Sequence, residues 1–271
     1  MRSHRLRAAV GNSVVDLSSK TLNRHYDFGN SSSYTAYGTT VNDLSGNGHG
    51  ATWMASPGYS TSNGGYVILG ASTASVLQAD QSTFSSSTSK QQALTRLAGT
   101  GGFTIELWVN IDHPTAPNSM TNRKIYRDDP IDLQFSPSFY FIYYRMNLFI
   151  HGTGWGGEGL TGTTNQVSAA LQSTQFTTNT YSSTGLQGWQ HIVLTRTSTG
   201  TNGLKFYINN SLKFTGTNSI NYNLSTNVPY GDKDYSGTQG SYMAIIREYL
   251  DGFNSAEVAA SFNADRARFG L

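Results

Sequence analysis

Three short segments with alternating apolar and polar residues constrain this chain more than any other feature. They are FTIELWV, WQHIVLTR and LKFYINN, at 103–109, 189–196 and 204–210. In the first, Ile105 and Leu107 fall on one face and Glu106 on the other, as in a β-strand. Between the second and third, Asn202 and Gly203 favour a tight hairpin turn because both residues tolerate positive φ. The segments therefore predict an antiparallel sheet.

The composition excludes several classes of protein. A chain of 271 residues is long enough for one large β-sandwich domain. Its formal net charge of only +2 does not favour a nucleic-acid partner, and its lack of cysteine excludes disulfides and thiolate metal ligands. No apolar run is long enough to insert into a membrane, and no secretory signal peptide is seen. We therefore expect packing and sheet hydrogen bonds to supply the stability.

A basic N-terminal arm precedes the predicted domain. The arm covers 1–13 and carries Arg2, Arg5 and Arg7, and a single domain is predicted over 14–271. One interpretation of the arm is a frayed terminus. The other is an anchor in which the arginines dock on a neighbouring subunit.

Further strand-length segments extend the pattern along the chain, with the spacing of a sandwich. They lie at 14–17, 23–28, 49–53, 66–70, 124–127, 131–135, 139–144, 146–152, 212–215 and 242–250. The chain closes with a predicted helix, because Asn254 and Glu257 form a capping-box pattern and Gly270 follows the last turn. Val258 and Phe262 lie four residues apart, on one face of that helix.

Three blocks of the sequence carry a family resemblance. They are the alternating strands, the closing helix and a D-x-S-G-N-G-x-G turn made of Asp43, Ser45, Gly46, Asn47, Gly48 and Gly50. Together they resemble the laminin G-like branch of the concanavalin A-like lectin/glucanase superfamily, of the kind found in structural proteins of phages and large DNA viruses. The resemblance implies an all-β fold, a two-sheet antiparallel jelly-roll sandwich with a short C-terminal α-helix.

The same resemblance implies a non-catalytic virion structural or decoration protein on the capsid or tail surface. Its partners would be other virion proteins, and attachment to host-cell glycans is left open. The alternative is a lectin-like adhesin in an extracellular or bacterial-surface location, since similar closing patterns occur in bacterial surface proteins. A glycoside hydrolase is the third hypothesis.

Catalytic signatures are missing from the sequence. Retaining glucanases need two carboxylates about 5 Å apart, which the superfamily places at E-x-D-x-x-E spacing, and that motif is absent. The nearest cluster is Asp128, Asp129 and Asp132, where Pro130 interrupts the strand alternation. We interpret this cluster as a solvated turn rather than a catalytic pair. The further hypothesis is a Ca²⁺ site, here or at Asp232 and Asp234, since calcium prefers converging carboxylate oxygens. No other cofactor is predicted.

A glycine-rich loop contains the sequence-predicted carbohydrate site. Trp155, flanked by glycines and close to His151 and Glu158, would present a flat ring to a sugar face. The alternative is a tryptophan that packs over a sheet edge. His191 lies inside a predicted strand, and we expect it to be a hydrogen-bonded sheet residue rather than a catalytic base.

Overall fold

Antiparallel β-strands make up most of the described part of the chain. The computed structural model describes residues 7–10, 13–53, 55–69, 77–79, 102–111, 123–127, 137–142, 145–150, 188–197, 203–216, 229–230 and 241–271. Two large sheets account for nearly all of these strands, and one α-helix follows the last strand. The predicted all-β sandwich with a short C-terminal helix is therefore confirmed. No described helix has both the length and the apolar character needed to cross a membrane.

The larger sheet, called the main sheet below, is built around the segments that dominate the sequence. In spatial order it contains β15 (Ser211–Gly216), β14 (Leu204–Ile208), β13 (Trp189–Arg196), β9 (Phe103–Ile111), β17 (Ser241–Tyr249), β7 (Tyr66–Leu69) and β6 (Gly58–Ser60). Strand β3 (Leu22–Asp27) pairs with β17 beside β7. The predicted hairpin is confirmed, since β13 and β14 pair antiparallel with Ile192 opposite Ile208.

The second sheet is also antiparallel throughout its described pairings. In spatial order it contains β12 (Arg145–Ile150), β11 (Pro137–Ile142), β10 (Arg123–Arg127), β16 (Pro229–Tyr230), β8 (Leu77–Ala79), β5 (Ala51–Trp53) and β4 (Thr40–Val41). It includes the segments predicted as strands from 124, 139 and 146. The strand predicted at 131–135 lies outside the described residues.

The N-terminal segment differs from the predicted arm. Strand β1 (Arg7–Val10) pairs antiparallel with β2 (Ser13–Asp16), with Ala8 opposite Val15. Ala8, Ala9 and Val10, which follow Arg7, have short apolar side chains and pair with β2 instead of extending as a charged arm. Residues 7–10 of the predicted arm are therefore tied to the domain as a strand rather than preceding its first strand.

The C-terminal helix forms as its capping residues predict. Helix α1 (Ser255–Asp265) begins after Asn254, whose side chain accepts hydrogen bonds from the backbone N–H groups of Ala256 and Glu257. The Glu257 carboxylate accepts in return from the Asn254 N–H at 2.7 Å, which completes the capping box. Helix α1 lies against β1 and β2.

Both faces of the main sheet are buried along its central strand, β9. Ile105 and Leu107 are buried on one face of β9, and Glu106 and Trp108 are buried on the other. The second of these faces is covered by α1 and the C-terminal turn, because the Trp108 ring stacks on Phe269 with centroids 4.3 Å apart. The alternation in β9 thus separates two buried layers rather than a core from solvent.

Replacing Trp108 with alanine tests this second layer. The indole is fully buried and contacts the rings of Phe269, Phe262 and His191. We expect Trp108→Ala to lower the free energy of unfolding by about 3–5 kcal/mol, because a large cavity opens between sheet and helix. Urea unfolding followed by circular dichroism measures the change. Leu212→Ala, at a half-exposed site, is the matched control. A loss below about 1 kcal/mol for Trp108→Ala contradicts the burial of Trp108 between sheet and helix.

Candidate functional site

The site residues predicted from the sequence fall almost entirely outside the described residues. They are Trp155, His151 and Glu158 for carbohydrate, Asp128, Asp129 and Asp132 for metal, and Arg2 and Arg5 for anchoring. Only the backbone of Arg7 is described, in β1. These assignments therefore stay predictions. The described residues nonetheless form three polar or aromatic arrangements of the kind found at functional sites: a buried ionic network, a capped turn and an exposed tyrosine.

A buried ionic network crosses the outer layer of the main sheet. Arg247 on β17 donates from Nη1 to Glu106 Oε1 at 2.9 Å and to Asp265 Oδ2 at 2.7 Å. His191 Nε2 lies 3.1 Å from the same Glu106 oxygen, and Arg247 Nε donates to His25 Nε2 at 3.3 Å. The network links four strands, β3, β9, β13 and β17, to α1 through hydrogen bonds in which charged groups take part. His191 is hydrogen-bonded within the sheet, as the sequence analysis expected.

The protonation state of Glu106 follows from its partners. Burial alone raises the pKa of this carboxyl, but the Arg247 guanidinium and the hydrogen bond from His191 outweigh burial and lower the pKa to about 2. Glu106 and His191 are both 0% exposed, so no substrate reaches either side chain. A carboxylate held ionised and closed from solvent serves packing rather than acid–base chemistry.

A second buried polar group lies next to the D-x-S-G-N-G-x-G turn. Arg24 donates to both carboxylate oxygens of Glu248, at 3.0 and 2.9 Å. Burial lowers the pKa of the neighbouring His49, and the charge of Arg24 lowers it further. Asp43 accepts four hydrogen bonds, from the backbone of His25, Ser45 and His49 and from the Ser45 hydroxyl. Asp43 therefore caps its own loop, as its place in the motif predicted.

No described cluster of three or more histidine, aspartate or glutamate side chains is arranged to hold a metal ion. Asp43 has its lone pairs directed to protein donors, and Glu106 is enclosed by Arg247 and His191. Neither carboxylate offers the converging free oxygens that calcium requires. The Ca²⁺ hypothesis for 128–132, or for Asp232 and Asp234, concerns residues outside the described part and stays a prediction.

The arrangement best suited to contact a ligand is an exposed tyrosine on a braced loop. Tyr37 is 75% exposed, the highest value among the large apolar side chains of the described residues. It lies in residues 33–39, which we call the Tyr37 loop, between β3 and β4. Its two neighbours, Ala36 and Gly38, have φ values of 70° and 85°. Positive φ is unfavourable for alanine, so the surrounding contacts must hold this backbone shape.

Hydrogen bonds on both sides fix the Tyr37 loop. The Thr35 hydroxyl donates to the Tyr37 carbonyl at 3.1 Å, and the Tyr34 hydroxyl donates to the Gly38 carbonyl at 3.1 Å. The Gly38 N–H donates to Ser56 Oγ, also at 3.1 Å. The polar groups beside Tyr37 are thus engaged within the protein, while the Tyr37 ring projects outward.

An aromatic cluster supports the loop from below. The buried Tyr34 ring contacts Phe28 edge-on, with centroids 5.9 Å apart, and lies 6.1 Å from Tyr59. Phe28 contacts Trp53 of β5 at 5.7 Å. Burial raises the pKa of Tyr34, which keeps its hydroxyl protonated as a donor. Tyr37 therefore stands on a base that is anchored in both sheets.

Arg268 joins the end of β3, just before the Tyr37 loop, to the glycine-containing turn at 63–65. Arg268 donates to both carboxylate oxygens of Asp27 and to the carbonyls of Asn63, Gly64 and Gly65. Gly29 approaches so closely that an added Cβ would meet the Gly64 oxygen at 1.7 Å. This close approach requires glycine and brings the beginning of the loop region next to the turn before β7.

Tyr37 is not among the site residues predicted from the sequence, and the predicted sugar-binding aromatic residue is Trp155. The available signal was the pattern SSSYTAYGTT, in which two tyrosines stand three residues apart. Which of the two is buried depends on tertiary contacts, so the pattern alone could not assign it.

Comparisons with known proteins support the fold. No family model and no curated protein matches the sequence. Among solved structures, the binding domain of Paraclostridial Mosquitocidal Protein 1 has a TM-score of 0.61 at 14% identity, over 90% of this chain and 52% of its own. The botulinum neurotoxin serotype D ligand binding domain, in complex with N-acetylneuraminic acid, has 0.62 at 12% identity, over 91% and 52%.

A third similar structure belongs to an enzyme. Trypanosoma rangeli sialidase has a TM-score of 0.58 at 14% identity, over 92% of this chain and 33% of its own. The chain therefore spans about half the length of the two toxin domains and about a third of the sialidase. At these identities the likenesses show a shared β-sandwich fold and carry no residue-level role.

The low pKa of Glu106 predicts a defined loss of stability in acid. The folded-state pKa of about 2 lies below the ordinary value of 4.5, so the contribution is fully present above pH 4.5 and is lost as the pH falls towards 2. We expect wild-type protein to lose about 3 kcal/mol of unfolding free energy across this window relative to Glu106→Gln, which lacks the titrating group. Urea unfolding at a series of pH values measures the difference. Parallel pH profiles for the two proteins contradict the prediction.

Proposed function

We propose that this protein is a non-catalytic, lectin-like binding module that contacts glycans through Tyr37. The observation that carries the proposal is the presentation of one exposed aromatic ring by a loop whose backbone is braced on both sides. The C–H groups on a sugar face pack against aromatic rings, and tyrosine adds a hydroxyl for hydrogen bonding. A rigid aromatic side chain also loses little conformational entropy on binding.

The comparisons support a binding role in general terms. One similar domain is described as a binding domain, and another holds N-acetylneuraminic acid. Because this chain spans only about half of those domains, their ligands do not transfer to it directly. They support glycan binding as the class of activity to test, and the Tyr37 loop supplies a specific place to test it.

The non-catalytic part of the proposal rests on the described carboxylates. Glu106 is closed from solvent, and Asp43 accepts four hydrogen bonds from its own turn. Asp27 is paired with Arg268. None of these three is placed as an exposed acid beside a nucleophile, which glycoside hydrolysis requires. The similarity to a sialidase is a similarity of fold.

The virion-surface role implied by the sequence resemblance stays a prediction, as do the adhesin alternative and anchoring by Arg2, Arg5 and Arg7. The pairing of β1 with β2 bears on the anchoring hypothesis. Since residues 7–10 pair with 13–16 in a small sheet against α1, an anchor would have to extend from the residues before Arg7. A glycan-binding module is compatible with either location.

Removing the ring of Tyr37 tests the proposed function directly. We expect wild-type protein to bind a subset of an array of polysaccharides and oligosaccharides, and Tyr37→Ala to weaken that binding by about tenfold or more. Tyr37→Trp keeps a ring and should retain binding. Unfolding free energies should remain within about 0.5 kcal/mol of wild type because the side chain is exposed.

Two controls locate the site on the surface. Leu212→Ala removes another exposed apolar side chain, on edge strand β15, and should leave glycan binding unchanged. Trp155→Ala tests the sugar site predicted from the sequence. If binding is lost in Trp155→Ala but kept in Tyr37→Ala, the site belongs to 151–158 and the Tyr37 assignment is wrong.

The absence of catalysis has its own test. Incubating the protein with each glycan that it binds should release no reducing sugar above a heat-denatured control. Release that persists after repurification, and that Asp129→Asn abolishes, overturns the non-catalytic assignment and revives the hydrolase hypothesis.

A further inference from the structure

We infer that the Tyr37 site is selective for uncharged glycans and discriminates against sialylated, sulfated or uronate-containing ones. The inference rests on the proposed function and adds the charge of the ligand. It comes from the side chains around the loop rather than from the tyrosine itself.

The two segments of the chain that form the Tyr37 loop and its nearest contacts have no charged side chains. Segments 28–42 and 51–69 contain no aspartate, glutamate, lysine, arginine or histidine. The first includes the Tyr37 loop, and the second includes Ser56 and Tyr59, which contact it. Serine, threonine, asparagine and tyrosine provide the polarity instead. Hydroxyl and amide groups suit the hydroxyls of a neutral sugar, since each partner both donates and accepts.

The arginine that borders this region is fully engaged. A guanidinium has five N–H donors, and Arg268 makes five hydrogen bonds: two to Asp27 and one each to the carbonyls of Asn63, Gly64 and Gly65. An anionic sugar would have to displace Asp27 from this arginine to gain a charge-assisted bond. The competing Asp27 carboxylate is already bidentate and held in place by the fold, so the exchange is unfavourable.

The carboxylates of Asp27 and Asp43 also disfavour an anionic ligand. Asp27 and Asp43 flank the Tyr37 loop along the chain, and both are held by hydrogen bonds within the protein. Among the described residues, a carboxylate or sulfate brought to Tyr37 would lose hydration without gaining a free cation, which is costly. A neutral pyranose loses far less hydration on the same ring. The described surface thus favours the uncharged ligand and gives an anionic one no compensating contact.

The inferred ligand of the Tyr37 site differs in charge from the ligand bound by one structural neighbour. The neurotoxin serotype D domain is in complex with N-acetylneuraminic acid, whose carboxylate is ionised at neutral pH. A shared sandwich fold does not require a shared ligand, since loops differ between proteins of one fold.

A paired glycan array tests the inference. Each neutral oligosaccharide, including glucans, galactans, mannans and N-acetylglucosamine oligomers, is printed beside a sialylated, sulfated or uronate-containing partner of the same core. We expect signal on neutral members at least about tenfold above their charged partners. We also expect the dissociation constant for the best neutral glycan to change less than about twofold between 50 and 500 mM NaCl, because no ion pair is screened. Thr40→Lys adds a cation at an exposed position next to the loop. It should strengthen binding to the anionic glycans and so reduce the ratio of neutral to anionic signal.

The outcomes separate the inference from the function on which it rests. Equal or stronger signal on charged glycans that Tyr37→Ala removes overturns the charge selectivity and leaves the proposed function standing. No signal on any glycan, or signal on neutral glycans that persists in Tyr37→Ala, overturns the proposed function and the inference together. Neutral-selective, salt-insensitive signal that Tyr37→Ala removes supports both.

Discussion

The ion pair between Glu106 and Arg247 is the contact on which the rest of this structure depends. It joins the two central strands of the main sheet, and Arg247 also reaches Asp265 at the end of α1. A buried pair of this kind contributes little net stability by itself, but losing one partner leaves a charge without compensation. The Arg247–Asp265 contact ties the end of α1 to β17, and Phe262 and Phe269 cover Trp108 in the same outer layer. With that face closed, the opposite face of the same sheet can pack in the sandwich.

The sequence predicted the fold where local chemistry decides it. Alternation in 103–109 and the Asn254 and Glu257 caps need only neighbours a few residues away, so strand and helix were both recognisable. The β1–β2 pairing was not predicted, because a run of only three apolar residues after Arg7 is too short to show the alternation of a strand. The burial of Glu106 was also beyond the pattern, since alternation says which residues share a face but not what covers that face.

The candidate site was the harder part to predict. The exposure of Tyr37 and the positive φ of Ala36 depend on Ser56, which lies 18 residues beyond Gly38 in the chain, and on the aromatic base around Phe28. Single-sequence patterns carry no information about such contacts. Residue chemistry did predict that Asp43 would cap its own turn, because the acceptor and its donors lie within a few residues. Hydrogen bonds between residues close in the sequence can be predicted from it, whereas those between distant residues cannot.

The bracing of the Tyr37 loop separates shape from recognition. Thr35, Tyr34 and Ser56 hold the backbone through hydrogen bonds, and none of those bonds uses the side chain of residue 37. Substitution at this one position therefore changes what the surface presents without requiring the chain to fold differently. A lineage carrying this domain could change the side chain that the loop exposes by single replacements there, while the sandwich beneath remained constant.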